Sequence, residues 1–206
     1  MRKLIWLLLI VLVVALIVWL VWPRPTIVQS TIPPPPEGAA HYSPPARTKT
    51  SGCVITNALP DPACTPGAVE TSITSDGMCH VGTHGRRKKD AALHDDVFIA
   101  YGIPLEDKSL YEDDHVIPLR FGGKEGDLAN RFPQKYEDRN ALFGGKLADH
   151  ELGAYAKDRL EAWLHAHICR GEMTLAFAQY AIATNWVAFY REHESHHRSR
   201  RSKRGK

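Results

Sequence analysis

Asp113-Asp114-His115 places two carboxylates and an imidazole directly before the apolar run Val116-Ile117-Pro118-Leu119. The apolar residues call for burial, so Asp114 and His115 fall at the edge of a core. There a carboxylate binds a hard cation and an imidazole acts as a base. A lone Asp-His pair is also a common structural element, so the pair needs company. A second set lies further on. At 100° per residue, Asp158, Glu161 and His165 fall within an arc of roughly 60° on one helix. Leu160, Leu164 and Ile168 occupy the neighbouring arc and supply a buried stripe. A row of Asp, Glu and His beside such a stripe suits metal binding. The competing reading is a salt-bridged face, with Asp158 and Glu161 paired to Lys157 or Arg159.

The elements that must position these groups follow from pattern and punctuation. Residues 111–119 have strand character, Phe121-Gly122-Gly123-Lys124 is a turn signal, and Asn130-Arg131-Phe132-Pro133 is a second extended piece. A loop of about twenty residues leads to a helix over 153–170 that ends near Gly171. A further helix covers 173–190, with Thr174 as its N-cap. Upstream, 86–102 reads as a helix ending at Gly102, and 53–80 as irregular structure pinned by Cys64 and Cys79. Its first turn, Arg86-Arg87-Lys88-Lys89, is the one basic cluster of the body. It suits phosphate contact and equally a solvated helix start.

Residues 4–22 are 19 consecutive apolar residues. At about 1.5 Å per residue they reach roughly 28 Å, the thickness of a bilayer's hydrocarbon. A cleaved signal peptide competes, with Arg2 and Lys3 as its basic start. The run is long for that, and the small residues Gly38-Ala39-Ala40 lie far downstream. The expectation is a single uncleaved transmembrane anchor, residues 1–22, with Trp19 and Trp22 at the interface. The positive-inside rule sends the rest across a bacterial cytoplasmic membrane to the periplasmic side. Residues 23–50 hold eight of the fourteen prolines and read as a Pro-rich linker; 51–190 form the domain. Residues 191–206 read as a basic disordered tail. The four cysteines contain no CxxC pair, which removes the usual zinc spacing. Exported, they predict two disulfides with three possible pairings; unexported, four thiols.

Charge divides along the chain. Residues 51–190 carry fourteen Lys and Arg against twenty acids, while both ends are basic. A body of that sign approaches a polyanion only through a local basic patch or a bound cation.

The stretch Tyr111 to Leu119, then Gly122-Gly123, then Asn130-Arg131-Phe132-Pro133-Gln134 resembles the HNH endonuclease superfamily. It is most similar to small bacterial HNH-like proteins, in which such a stretch precedes a K-D-x-x-E-x-x-L-H helix. Here that helix reads Lys157-Asp158-Arg159-Leu160-Glu161-Ala162-Trp163-Leu164-His165. Pro60-Asp61-Pro62-Ala63-Cys64-Thr65-Pro66-Gly67 and Thr174 to Gln179 extend the likeness over roughly 57–190. The resemblance implies an α+β fold, a ββα-metal hairpin-plus-helix core with additional helices, here preceded by the transmembrane helix. It implies a metal-dependent endonuclease cutting DNA, with RNA as the other candidate, and no small-molecule cofactor. His115 would be the general base and Asp114 a metal ligand, while Asn130 would orient His115 or complete the metal site. The helix begins more than twenty residues after Asn130, so Asp158, Glu161 or His165 must supply the third ligand. Oxygen donors favour Mg²⁺ or Mn²⁺; His165 would favour Ni²⁺ or Zn²⁺. Arg86, Arg87, Lys88, Lys89 and Lys157 would contact nucleic acid. The alternative is a catalytically degenerate HNH-like scaffold that binds nucleic acid or serves the cell envelope without turnover.

Overall fold

A computed structural model describes residues 34–80 and 91–204. In chain order the elements are α1 (Ser75–His80), α2 (Ala91–Ala100), β1 (Tyr111–His115), β2 (Arg131–Lys135), α3 (Arg139–Phe143), α4 (Ala154–Cys169) and α5 (Leu175–Arg204). Short 3₁₀ turns sit between them. β1 and β2 pair antiparallel, from Tyr111 opposite Lys135 to His115 opposite Arg131. The class is therefore α+β, with a small two-stranded sheet set among helices.

The apolar pattern accounts for the packing. Val116, Ile117 and Phe121 after β1, and Phe132 within β2, are buried. They form one core with Leu160, Leu164 and Ile168 of α4 and Ile182, Trp186 and Tyr190 of α5. The stripe expected on 153–170 is thus the buried face of α4. Two disulfides fasten this body, Cys53–Cys64 and Cys79–Cys169; the second ties α1 to the end of α4.

The fold expectation needs correction. The finer fold expectation, a ββα-metal core preceded by a transmembrane helix, is not what the described residues show. The helix directly after β2 is the five-residue α3, capped by Asp138, and the helices that reach β1 are α2, before it, and α4, much further along. Among the described residues, no three His, Cys, Asp or Glu side chains form a group able to hold a metal. Nor is any helix among them long and apolar enough to cross a membrane. The run 4–22 lies outside the described residues. The linker assigned to 23–50 is not all spacer: Tyr42 is a core residue, its N–H donating to Gln179 Oε1 at 2.9 Å. Of the segment assigned as a tail, residues 191–204 continue α5, which breaks its helical geometry only at Asn185. Its His193 stacks on Trp163 with ring centres 4.7 Å apart, because an aromatic face on α4 gives the helix something to pack on.

Candidate functional site

The alternation of a strand sends Asp114 to one face of the hairpin and Asp113 and His115 to the other. On the first face Asp114 meets α4. Lys157 Nζ lies 2.7 Å from Asp114 Oδ2, 2.8 Å from Glu161 Oε1 and 2.7 Å from the carbonyl oxygen of His115. Lys157 is 1% exposed, so the salt-bridge reading of this helix is the one realised for Glu161. α4 is held at this depth by two local devices. Glu137 accepts from the N–H groups of Tyr155 and Ala156, satisfying donors that a helix start leaves open. Gly153 lets the helix abut β2: a Cβ there would stand 2.0 Å from the carbonyl oxygen of Lys135.

Burial alone would lower the Lys157 ammonium, but Asp114 and Glu161 outweigh it and raise it above the ordinary lysine range. Burial pushes the Glu161 carboxyl up to about 7 against the pull of Lys157. His115 is lowered from its usual value, by burial first, with Asp114 and Glu125 acting in the opposite sense. Its Nε2 stands 2.9 Å from Glu125 Oε2, and both side chains are largely buried. On the same face as His115, Asp113 receives Arg131 through Nε and a second guanidinium nitrogen, and lies 2.7 Å from His94 Nδ1.

Asn130 is wholly buried and its amide is committed to backbone. Oδ1 accepts from Ile117 N–H at 2.9 Å and Ala68 N–H at 3.3 Å; Nδ2 donates to the carbonyls of Ile117 and Lys124. It clamps the turn that carries His115 and does not orient the imidazole directly. Gly123 belongs to the same turn, where a Cβ would fall 1.7 Å from the Ile117 carbonyl oxygen.

A pocket of about 80 Å³ opens here, lined by Glu112, Asp114, His115, Arg120, Asp158 and Glu161 together with Pro118 and Leu119. Four residues chosen from sequence, Asp114, His115, Asp158 and Glu161, are thus brought to one place. A larger cavity of about 580 Å³ has none of the predicted site residues in its walls. His165 is elsewhere: its Nε2 is 3.4 Å from the carbonyl oxygen of Met78 and 3.8 Å from Cys169 Sγ. One further turn along α4 has carried it to α1. Lys157, predicted to contact nucleic acid, is too buried to do so. Arg86, Arg87, Lys88 and Lys89 lie outside the described residues.

Glu112, Arg120, Glu125, Arg131 and His94 were not foreseen as neighbours of this site. Glu112 stands two residues before Asp114, and strand alternation alone would have put the two on one face. Glu125 and His94 reach His115 and Asp113 through tertiary packing that no local spacing encodes.

The fit to a divalent metal is poor in this arrangement. Asp114 has its Oδ1 on the N–H of His115 and its Oδ2 on Lys157, and Glu161 has one oxygen on the same ammonium. Fold and site together define a small disulfide-bonded α+β protein with a buried lysine–carboxylate network beside an acid- and histidine-lined pocket. No family model, curated protein or solved structure matches the chain.

Proposed function

We propose that this chain is an endonuclease of the HNH type, hydrolysing phosphodiester bonds of DNA. What carries the reading is one observation: Asp114 and His115 of β1 and Asp158 and Glu161 of α4 line a single pocket. The motif resemblance supplies the reaction class, and the two groups with displaced proton affinities supply the chemistry. His115, held neutral by burial, takes a proton from the attacking water as the new P–O bond forms. Glu161, raised to about 7 and so partly protonated at neutral pH, delivers that proton to the 3′ oxygen as the old P–O bond breaks. Arg120 is the pocket cation available to a phosphate oxygen. The resemblance implies a divalent cation, which would lend positive charge to a pocket rich in carboxylates. Its donors do not converge among the described side chains, so no step above runs through it. Two disulfides support an extracytoplasmic location, with the apolar segment 4–22 directing the chain to the membrane.

The test uses the full chain in detergent, oxidised, with supercoiled plasmid and Mg²⁺, Mn²⁺, Ni²⁺, Zn²⁺ or chelator. Nicking that falls at least about a hundredfold in His115→Ala, with circular dichroism unchanged, is the expected result. Equal nicking by that variant overturns the mechanism. A second reading has its own observation: Lys157 fills the gap between Asp114 and Glu161, as in a scaffold that binds nucleic acid without cutting it. Salt-dependent DNA binding with no nicking in any metal would favour that reading.

A further inference from the structure

We infer that Lys157 is the resident cation of this site: its ammonium holds the position between Asp114 and Glu161 that a divalent metal would otherwise take. An ammonium has three N–H donors, and here three oxygens accept them, each within 2.8 Å. The two carboxylates come from different elements, β1 and α4, yet both turn their oxygens to one nitrogen. Their side chains are 16% and 10% exposed, so neither is neutralised by bulk water. Two buried carboxylates around one point repel each other unless a cation stands between them. The lysine is that cation, and it is covalently attached, so it cannot be removed by chelation.

The surrounding geometry fixes the ammonium in place. The close approach of Gly153 to Lys135 and the Glu137 cap set the depth of α4. The third acceptor is a main-chain carbonyl, which cannot rotate away as a side chain can. Asp114 Oδ1 is already occupied by the N–H of His115, so swinging Lys157 aside would still leave only part of a ligand set. In consequence Asp114 and Glu161 do not bind Mg²⁺ or Mn²⁺ in the wild type, and any metal the protein takes lies elsewhere in the pocket.

This inference stands apart from the nuclease reading, since its test measures metal bound and not DNA cut. Free Mn²⁺ is titrated by electron paramagnetic resonance against the oxidised full chain in detergent, beside Glu161→Gln and Lys157→Ala. The expected result is the same number of Mn²⁺ ions bound by wild type and Glu161→Gln. Lys157→Ala should bind one more and gain thermal stability with Mn²⁺. If Lys157→Ala does not fold without metal, recovery of its far-ultraviolet dichroism on adding Mn²⁺ reads the same event. A wild-type Mn²⁺ ion that is lost in Glu161→Gln overturns the inference. So does a Lys157→Ala protein that neither binds the extra ion nor responds to it.

Discussion

Asp114 Oδ2 and Lys157 Nζ meet at 2.7 Å across 43 positions of sequence. The contact joins the first strand of the hairpin to the helix that closes the core, so site geometry and fold stability are one problem here. Removing Lys157 leaves Asp114 and Glu161 facing each other without their counter-charge, a loss on the order of 3–5 kcal/mol for buried pairs.

Asn130 gives the clearest case of a residue whose role is structural. Its side chain serves the N–H and carbonyl of Ile117 and the carbonyl of Lys124 in the turn after β1, together with the N–H of Ala68. Asn130→Ala orphans the buried Ile117 N–H and carbonyl and should destabilise the protein by on the order of 3 kcal/mol. Urea unfolding checks it. A loss below about 0.5 kcal/mol would mean that water or a shifted backbone replaces the clamp.

Gly153 controls the seating of α4. Adding a methyl group brings it against the Lys135 carbonyl oxygen at 2.0 Å, so the helix start must move by about an ångström. Gly153→Ala should cost on the order of 2–3 kcal/mol. It should also speed hydrogen exchange of the Lys157 to Glu161 amides more than those of α5. Uniform exchange across both helices would show that the close approach does not seat α4.

The two disulfides differ in the length of chain they close, 90 positions for Cys79–Cys169 and 11 for Cys53–Cys64. Loop entropy ranks them at about 4.5 and about 3 kcal/mol. The double substitution Cys79→Ala with Cys169→Ala should therefore unfold at lower urea than Cys53→Ala with Cys64→Ala. The opposite order would mean that local packing around Cys53 and Cys64 outweighs the chain constraint.

Much of this was legible in the chain, and the failures share a cause. The hairpin, α4 and the first half of α5 follow from apolar spacing and turn residues, and four pocket residues follow from chemistry placed on those elements. The sequence offers Lys157 as a nucleic-acid contact or as a helix-face partner of Asp158 and Glu161, and lysine is seldom buried. Its burial needs Asp114 from β1, and no property of the helix alone reveals that partner. The motif gives Asn130 a chemical role, yet its amide answers backbone groups whose positions exist only in the fold. Glu125 finds His115 in the same way. Tyr42 sits in a proline-rich segment whose composition argues for a spacer, and a single aromatic docking on Gln179 and Tyr180 overrides it. Local pattern sets the elements; long-range pairing decides which polar groups they conceal.

Glu161 provides the pH test. Its carboxyl is raised from 4.5 to about 7 by burial, so the folded chain holds a proton that the unfolded chain has released across that interval. The stability this contributes is full below about pH 4.5 and is lost as pH rises through about 7. His115 is shifted the other way, so it adds stability as pH rises, and a comparison that keeps His115 in both proteins cancels it. Between about pH 5 and pH 8 the wild type should therefore lose on the order of 3 kcal/mol relative to Glu161→Gln, whose amide does not titrate. Urea unfolding of both proteins across that range measures the gap directly. A gap that stays constant would mean that Glu161 is ionised throughout and that the proposed acid lacks its proton.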